Sequence, residues 1–573
     1  MTEKLTITTE GVDDIPILLA LCANMGIAEL LDAYFQPHGN WGGTSLGWTT
    51  TIWLAHILSE GDHRMNQVQP WAANRVQTLQ MCSGQAVRDG NWSDDRLAIV
   101  LDVLSDNQKW QQFETALNRQ IVRVYNLKPK RARVDSTTAS GYWTVSEQGL
   151  FQLGYSKDHR PDLPQLKVML SVLDPLGLPV ATQIVSGERA DDPLYIPAIE
   201  QVSQSLQEHG LLSVGDCKMA AMETRAYLEA QQDCYLCPLS NKQMPEAVLA
   251  GYVQPVWAGE QPLTAVMREG EESQPELIAE GYEQSVVLSA EVNGKTITWT
   301  ERHLIMRSQK LAKAATEGLQ ARLAKAQTAL GHLDEHKQGK KRYNDVASLQ
   351  QAAQAILKQQ RVEGLLRVTI EEQVEERRVR AYGDRPAAVR VDRAMSVRSQ
   401  VDAPAVAEAM RWFGWRVYAT NQVPEVLPLE QAILAYREEY LVERGLGRLK
   451  GKPLSLTPMY VQSDQRATGL VRLLSIGLRV LTRLQFSARQ RLADSKATVA
   501  GLYAGNPKRT TNRPTTEALL GAFKGIHLSE VSIGQQLHRH VTPLSGLQKH
   551  ILSLWDLSPE MYDHLCAEFP DST

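Results

Sequence analysis

Three acidic residues lie far apart in the sequence, yet each stands in a pattern that favours metal-dependent chemistry. Asp135 falls in the β-branched stretch RVDSTTAS, Asp216 follows the apolar run LLSVG, and Glu443 stands among cations in AYREEYLVERGLGRLKGKPL. Carboxylates from separate elements can hold two Mg²⁺ ions about 3.5–4 Å apart. One ion would activate water or a 3′-hydroxyl, and the other would stabilise the leaving oxygen of a phosphodiester.

Each of these acidic residues also has a simpler interpretation. An aspartate at the end of a strand is often the N-cap of the next helix. Glu439 and Glu443 precede cations at suitable spacings, which is typical of a solvated helix face. Two strand-end aspartates together with a glutamate among cations nevertheless favour a metal site beside a bound polyanion.

The elements that must position these residues begin after residue 130, where the pattern changes from helical to mixed. The runs RVDSTTAS, QLKVMLSVLD and LPVATQIVSG predict three strands, and an Asp-Pro-Leu-Gly turn predicts a hairpin between the last two. A helix ending at Gly210, the strand LLSVGDCKM, the helix AAMETRAYLEAQ and the strand CYLCPLS follow. This order predicts a mixed α/β sheet, in which functional groups gather at the carboxyl ends of strands.

Changes of pattern along the chain predict five regions. Leucines and tryptophans at helical spacing mark the first region, and its basic end, 118–133, suits either phosphate contacts or a linker. Residues 241–412, which we interpret as an insertion, contain a predicted hairpin at Asn293-Gly294 and predicted long helices over 308–335 and 345–378. The regions are a helical DNA-binding domain over 1–128, the first core part over 129–240, the insertion over 241–412, the second core part over 413–498, and a C-terminal region over 499–573.

The C-terminal region carries the basic stretch GNPKRTTNRPTT, which includes Lys508, Arg509 and Arg513. We expect this region to add contacts to DNA or to a second copy of the chain, and the alternative is a solvated loop.

Composition limits the class of protein. The chain has 573 residues, of which 43% are hydrophobic and 22% charged, with a net charge of −4, as in a globular protein of several domains. The six cysteines do not suggest a disulfide framework, and in HILSEGDH the histidines His56 and His63 are better explained as structural than as metal ligands. The N-terminus lacks a signal-peptide pattern, and IPILLALCANMGIAELL is interrupted by polar residues, so we expect a cytoplasmic protein without a membrane span.

Three separated motifs resemble, in the right order, those of the DDE transposases of bacterial insertion sequences, in the group with a β-rich insertion before the catalytic glutamate. VDSTTASG resembles the strand of the first aspartate and VGDCKM that of the second. Tyr436, Glu443 and Lys450 match the signature Tyr-x2-Arg-x3-Glu-x6-Lys, whereas Glu439 stands where the signature has arginine. The resemblance covers residues 130 to about 515, and includes GYSKDHRPDLPQLKVML and RLKGKPLSLTPMYVQSDQRATGL.

The resemblance implies an α/β fold with a ribonuclease H-like catalytic core, interrupted by the insertion. It implies that Asp135, Asp216 and Glu443 form the catalytic, metal-binding triad for two Mg²⁺ ions, with Mn²⁺ as a substitute. The implied reaction is cleavage at transposon ends and strand transfer into target DNA, through a hairpin intermediate in members with this signature. The implied partners are double-stranded DNA, as terminal inverted repeats and as target, and a second copy of the chain in a synaptic dimer at the nucleoid.

The DNA-binding residues expected from this resemblance surround Glu443. Two turns of one helix would place Tyr436 and Glu443 on a common face, and Lys450 would continue the row beside a phosphate. Trp415, in the strand GWRVYATN, is a candidate for stacking on a flipped base, and the alternative is a tryptophan in the core. The full set is Tyr436, Arg437, Arg444, Arg448, Lys450 and Trp415.

Two other functions stay open. An inactivated or domesticated relative would bind DNA without cutting it, although the intact set of three acidic residues argues against this. A metal-dependent nuclease would cut DNA without strand transfer.

Overall fold

The computed structural model describes residues 5–37, 39–269, 275–333, 343, 345–379, 388–533 and 536–567. The region before the predicted core is helical except for its first strand. Its elements are β1 (Leu5–Gly11), α1 (Ile15–Asn24), α2 (Ile27–Tyr34), α3 (Leu46–Glu60), α4 (Met65–Ala73), α5 (Val76–Ser83), α6 (Asp94–Leu104) and α7 (Asn107–Val124).

The first part of the predicted core contains the strands and helices expected from the sequence. They are β2 (Arg131–Ser140), β3 (Gln165–Leu173), β4 (Leu178–Ser186), a 3₁₀ helix (Asp192–Leu194), α8 (Tyr195–Leu206), β5 (Leu212–Gly215), α9 (Met222–Ala230) and β6 (Cys234–Pro238).

The insertion begins with strands and continues with helices and a β-ribbon. Its elements are α10 (Glu246–Trp257), β7 (Thr264–Glu269), β8 (Pro275–Val292), β9 (Lys295–Ser308), α11 (Gln309–Gly331), α12 (Val346–Gln360), β10 (Leu366–Val379), β11 (Ala388–Val401) and α13 (Ala403–Arg411).

The remainder of the chain returns to the sheet and then to helices. Its elements are β12 (Trp415–Thr420), α14 (Leu429–Arg437), α15 (Tyr440–Lys450), α16 (Asp464–Asp494), β13 (Val499–Ala500), β14 (Thr510–Thr511), α17 (Thr516–Gly521), β15 (His527–Ile533), β16 (Gln536–Val541), α18 (Gly546–Leu554), α19 (Glu560–Asp563) and a 3₁₀ helix (His564–Cys566).

A nine-stranded mixed sheet organises the molecule, with the order β4-β3-β2-β5-β6-β12-β9-β8-β7. The pairs β2–β5 and β5–β6 are parallel, and the other neighbours are antiparallel. This arrangement confirms the predicted mixed α/β class. Both predicted hairpins are present: β3 pairs with β4, and β8 pairs with β9 around Asn293 and Gly294, whose positive φ angles of 51° and 75° suit a two-residue hairpin turn.

The insertion is less separate than the sequence suggests. Strands β7 to β9 extend the nine-stranded sheet from β12, so this part of the insertion shares the sheet of the core. Helices α11 and α12, helix α13 and the β10–β11 ribbon instead pack around a small core of their own. The structure therefore divides the predicted insertion into an extension of the sheet and a satellite core.

The helix predicted over 345–378 is wrong in its second half. Helix α12 ends at Gln360, and the left-handed φ angles of Arg361 (53°) and Gly364 (76°) turn the chain into strand β10. Strand β10 then pairs along its whole length with β11, from Leu366 with Val401 to Val379 with Ala388. The other predicted long helix, over 308–335, is confirmed as α11 up to Gly331, and its last two residues lie outside the described residues.

The predicted N-terminal domain shares its core with distant segments. Strand β1 pairs antiparallel with β15, with Leu5 opposite Ile533 and Gly11 opposite His527. One apolar cluster joins α1–α7 with β2–β4, α15, α16 and the C-terminal helices. Because these segments bury one another, the structure does not separate residues 1–128 as a domain with its own core.

Helix α16 runs through this shared core, and three of its arginines, Arg472, Arg479 and Arg483, pack inside the protein. The guanidinium of Arg479 pairs with Glu114 of α7 at 2.6 Å, and both side chains are fully buried. Arg472 donates to the Leu104 carbonyl, and Arg483 lies over the Tyr125 ring at 3.6 Å. Removing one partner of a buried pair costs about 3–5 kcal/mol, so the Arg479–Glu114 contact ties the N-terminal helices firmly to α16.

A search of the described residues for membrane spans finds no single helix that is long and apolar enough. Helices α1 and α2, which are bent relative to each other, reach the length and apolar composition of a span only when they are taken together. Their apolar residues, such as Ile15, Leu18 and Ile27, are buried in the shared core.

Candidate active site

Asp135 and Asp216 lie side by side because of the register of two parallel strands. Val134 of β2 is opposite Gly215, the last residue of β5, so Asp135 within β2 and Asp216 directly after β5 are the next residue on each chain segment. Residues in register on neighbouring strands project from the same face of a sheet. Burial raises the pKa of Asp135, and the negative charge of Asp216 raises it further, while Lys157 opposes the shift.

One oxygen of each aspartate is held by hydrogen bonds. Asp135 Oδ1 accepts from the Ser136 N–H at 2.7 Å and from Lys157 Nζ at 3.3 Å. Asp216 Oδ1 accepts from the Tyr195 hydroxyl at 2.7 Å and from the Lys218 N–H at 2.8 Å. Within the described part of the chain, Oδ2 of each aspartate accepts no hydrogen bond, so one oxygen of each is left for a ligand.

Tyr195 is a buried hydroxyl donor to this pair. Its side chain is 1% exposed, and its pKa lies well above the usual value because of burial first, and then because of the charges of Asp216 and Asp135. Tyr195 therefore stays protonated and fixes one oxygen of Asp216.

A shell of further charges surrounds the two aspartates. Lys157 Nζ also donates to the Ser136 carbonyl at 2.7 Å and lies 4.0 Å from Asp191. Asp191 in turn pairs with the buried Lys167 at 2.6 Å. Sequence reasoning assigned these side chains no role, although Lys157 lies in the stretch GYSKDHRPDLPQLKVML that carries part of the resemblance.

The helix predicted around Glu443 is broken, which changes the geometry of the third carboxylate. Helix α14 ends at Arg437 and α15 begins at Tyr440. Between them the N–H groups of Glu438 and Glu439 donate to carbonyls three residues earlier, at 3.3 and 3.1 Å. Tyr436 and Glu443 consequently lie on different helices, and the prediction of one continuous face with Lys450 is wrong.

The structure brings Glu439 towards the two aspartates. The side chain of Glu439 is half-buried at the start of α15, close to the Tyr436 side chain. Burial first, and then the charges of Asp135 and Asp216, raise the pKa of Glu439 to about 7, while the neighbouring Tyr436 hydroxyl opposes the shift. Glu443, by contrast, is exposed one helical turn further along.

Carboxylate oxygens are the ligand type that a hard divalent cation prefers, and Asp135 and Asp216 each keep one such oxygen free of hydrogen bonds. The arrangement is incomplete as a cage, because the described residues contain no group of three or more His, Cys, Asp or Glu side chains placed to hold a metal ion. The aspartate pair therefore fits Mg²⁺, and a third carboxylate would have to move closer to join it.

A cleft of about 800 Å³ opens beside Asp216 and Tyr436. Three exposed cations, Lys218, Lys242 and Arg416, are among its lining residues. A wide groove with positive side chains next to two carboxylates suits a polyanion whose phosphates would otherwise be repelled by the acidic pair.

Two of the six predicted DNA-binding residues are buried, and a third, Arg437, is half-buried and hydrogen-bonded within the protein. Arg448 is 8% exposed and pairs with Glu517 at 2.8 Å, and Arg437 donates to the Ile278 carbonyl at 2.9 Å. Trp415 is 7% exposed in the core, and its indole N–H donates to the Arg411 carbonyl at 3.0 Å. Of the two interpretations of Trp415 that the sequence leaves open, the structure confirms the tryptophan in the core and not the one that stacks on a base, because the ring is covered by the protein.

The other three lie nearer to solvent or to the aspartates. The ring of Tyr436 packs against Tyr418, with centroids 4.5 Å apart, and also lines the cleft. Lys450 forms an ion pair with Asp158, the neighbour of Lys157 in sequence. The guanidinium of Arg444 lies over the Tyr440 ring at 5.8 Å.

Arg444 belongs to a group of four arginines that we call the arginine cluster: Arg444, Arg448, Arg489 and Arg513. Burial first, and then the charges of the other three arginines, lower the pKa of Arg489 to about 10. The same two causes, burial first, lower the pKa of Arg444. Arg513 is the exposed member and belongs to the basic C-terminal stretch identified in the sequence.

Comparison with known proteins gives little guidance. No family model matches the chain, and no curated protein matches it. Among solved structures, the chain is similar to one described as a piggyBac transposase synaptic complex with hairpin DNA, determined by cryo-EM. That likeness has a TM-score of 0.31 and 8% identity, over 97% of this chain and 84% of the other, and at this level it supports no conclusion about function.

Proposed function

We propose that this protein is a DNA transposase of the DDE type, of the kind found in bacterial insertion sequences, which cuts at transposon ends and transfers them into target DNA. The observation that carries the proposal is the aspartate pair. Asp135 and Asp216 stand on adjacent parallel strands, each with a free oxygen, beside a wide cleft with exposed cations. This combination suits metal-dependent chemistry on a phosphodiester.

The strand order supports a ribonuclease H-like core. Strands β4, β3 and β2 are antiparallel neighbours, and β5 and β6 follow β2 in parallel, which is the order expected of such a core. The segment between β6 and α14 then interrupts the core before the acidic residues of α15, as the resemblance implies.

Asp135 and Asp216 would hold Mg²⁺, with Mn²⁺ as a substitute, and the metal when bound would supply Lewis-acid activation of the phosphodiester and of the attacking oxygen. The chain's own groups prepare this site. Tyr195 and the Lys218 amide fix one oxygen of Asp216, and Lys157 with the Ser136 amide fix one oxygen of Asp135. Each aspartate is thereby oriented before the substrate arrives.

The third carboxylate would come from the start of α15, and two residues compete for that role. Glu443 matches the family signature in sequence, but its side chain is exposed. Glu439, which replaces the signature arginine, lies close to Tyr436 at the edge of the cleft, and the charges of both aspartates raise the pKa of its carboxyl group. We propose Glu439 as the third member, with Glu443 as the alternative that the signature favours.

DNA would approach along three positive surfaces. The cleft supplies the exposed Lys242 and Arg416, together with Lys218, whose ammonium group pairs with Asp192 at 3.3 Å. The arginine cluster presents its exposed member Arg513. The predicted basic segment 118–133 forms a third surface, where exposed side chains line a groove of about 340 Å³. The exposed basic side chains of that groove are Arg119, Arg123, Lys128 and Lys130. The working form would be a homodimer that holds two transposon ends at the nucleoid.

The DNA that flanks the gene provides the test substrate. We expect it to contain inverted repeats, and labelled duplexes that end in those repeats should yield nicked, released and joined products with Mg²⁺ and no product with EDTA. Cleavage without joined product would identify a nuclease. Sequence-specific binding without any cleavage would identify an inactivated relative, and either result would overturn the proposal.

The arginine cluster gives a separate prediction about DNA affinity. We expect Arg513→Ala to weaken binding of duplex DNA severalfold and to reduce the slope of log affinity against log salt by about 1, because one phosphate contact is lost. Fluorescence anisotropy over a series of salt concentrations measures both quantities. Arg367→Ala is the matched control. The Arg367 side chain lies on strand β10 of the insertion, is 75% exposed and pairs with Asp402. An unchanged slope for Arg513→Ala would remove this residue from the DNA surface.

A further inference from the structure

Lys157 stands between two carboxylates at the edge of the candidate active site. Its ammonium group donates to Asp135 Oδ1 at 3.3 Å and lies 4.0 Å from Asp191 Oδ2. It also donates to the Ser136 carbonyl at 2.7 Å, the shortest of the three contacts. The Lys157 side chain is 30% exposed, so part of this long, flexible side chain is open to solvent and has room to move.

The backbone that carries Lys157 is fixed, in contrast to its ammonium group. The Lys157 N–H donates to the Thr138 hydroxyl at 3.1 Å. The preceding residue, Ser156, is 6% exposed, and its hydroxyl accepts from the N–H groups of Asp158 and Arg160 at 3.2 and 3.3 Å. A movement of the charge from one carboxylate to the other therefore needs only a rotation of the side chain.

Asp191 is prepared to receive this charge. Its Oδ1 accepts from the buried Lys167 at 2.6 Å, which fixes the carboxylate. Within the residues that the structure describes, Asp191 Oδ2 accepts no hydrogen bond, and this is the oxygen nearest to Lys157. The Asp191 side chain is 12% exposed, so solvent screens its charge little. A second acceptor thus lies within a small rotation of the Lys157 side chain.

A divalent cation on Asp135 would change the balance between the two positions. Oδ2 of Asp135 is free for the cation, while Lys157 holds Oδ1 of the same carboxylate. Two cations that share one carboxylate repel each other, whereas the charge of Asp191 attracts the ammonium group. Since an ammonium group has three N–H donors, Lys157 can keep its bond to the Ser136 carbonyl in either position.

We propose that Lys157 is the counter-ion of Asp135 in the metal-free protein and passes to Asp191 when a divalent cation binds. In the first position, its charge offsets the repulsion between Asp135 and Asp216. In the second, it leaves Asp135 to the metal. Lys157 is then a positioning residue, and the inference rests on the proposed function, because the metal site is part of that function.

Binding of Mn²⁺ to the full-length protein without DNA tests this handover apart from catalysis. Electron paramagnetic resonance measures free Mn²⁺ during a titration, and the binding that is lost in Asp135→Asn defines the site. We expect Lys157→Met to bind Mn²⁺ at this site about tenfold more tightly than the wild type, because the competing charge is gone. A lysine that only orients Asp135 predicts weaker binding when it is removed. Unchanged or weaker binding by Lys157→Met would overturn the proposal.

Asp191→Asn tests the second position. We expect it to weaken Mn²⁺ binding severalfold, because Lys157 then keeps its place on Asp135. Asparagine retains an oxygen that can accept from Lys167, so the fold should persist, and thermal unfolding checks this. In the Lys157→Met background the same substitution should change the affinity much less, since no ammonium group is left to receive. An equal effect in both backgrounds would mean that Asp191 acts only through its general negative charge, and would overturn the handover.

Lys218→Met is the matched control for the loss of one positive charge near the aspartates. The Lys218 ammonium group pairs with Asp192 at 3.3 Å, and the backbone N–H of Lys218 is the group that donates to Asp216. We expect this variant to change Mn²⁺ affinity by about twofold or less. A rise as large as that of Lys157→Met would reduce the effect to the general field of the site and would contradict the proposal.

The outcomes separate this inference from the proposed function. If no Mn²⁺ binding depends on Asp135, the metal site falls and both proposals fall with it. An Asp135-dependent site whose affinity does not respond to Lys157→Met would overturn the handover alone. A protein that shows the handover but never cuts DNA would keep this inference and lose the transposase proposal.

Discussion

Asp135→Asn and Asp216→Asn should each lower Mg²⁺-dependent DNA cleavage by about a thousandfold or more, with DNA binding close to wild type. Each substitution removes the negative charge of a proposed metal ligand and adds almost no volume. The loss of several kcal/mol of transition-state stabilisation corresponds to that reduction in rate. Asparagine keeps an oxygen that can accept the Tyr195 or Lys157 hydrogen bond, so the fold should persist.

Cleavage of labelled transposon ends and gel-shift binding, measured on the same preparations, test this expectation. Asp162→Asn is the matched control, because Asp162 is 61% exposed and pairs with Arg160. A variant that cuts DNA at a near-normal rate would show that its aspartate is not a metal ligand. Parallel loss of binding and cleavage would instead indicate a structural defect.

Glu439→Gln should reduce cleavage about a hundredfold, whereas Glu443→Gln should retain most of it. The structure gives Glu439 a half-buried position close to Tyr436, where the charges of Asp135 and Asp216 raise the pKa of its carboxyl group, while Glu443 is exposed. If Glu439 joins the metal site, the loss of its charge removes part of the stabilisation that the metal provides. Single-turnover cleavage rates at saturating protein measure this effect apart from DNA affinity.

The two glutamates make the experiment decisive in both directions. A large loss with Glu443→Gln and little with Glu439→Gln would assign the role to the residue that matches the signature, and would require α15 to shift when metal or DNA binds. Glu425→Gln, an exposed glutamate in the loop before α14, controls for the general effect of removing one negative charge.

The sequence predicts the sheet around the aspartates well because the relevant signals are local. Alternating β-branched runs and the two turn sequences identify β2 to β6, β8 and β9, and the order of helices and strands predicts the mixed sheet. The juxtaposition of Asp135 and Asp216 then follows from the parallel register of β2 and β5.

Features that depend on distant contacts could not be read from those local signals. Arg479 looks like a free cation in the sequence, yet its partner Glu114 lies 365 residues away. The same reason applies to Arg448, which the sequence predicts on the DNA-binding surface and which is buried against Glu517, 69 residues away. The break at Glu438 and Glu439 falls within a sequence of good helix formers, and the packing of α14 and α15 on different parts of the sheet overrides that propensity.

The pairing of β1 with β15 has a consequence for the order in which the chain can fold during synthesis. Strand β1 spans Leu5–Gly11, but its partner spans His527–Ile533, so more than five hundred residues are made in between. At about 5–20 residues per second, this delay is on the order of half a minute to two minutes. Throughout that time the first strand has an unpaired edge, and the apolar faces of α1–α7 await α16. The main core can therefore close only after α16 and β15 have been synthesised, and the nascent N-terminal helices should be natural clients for chaperones.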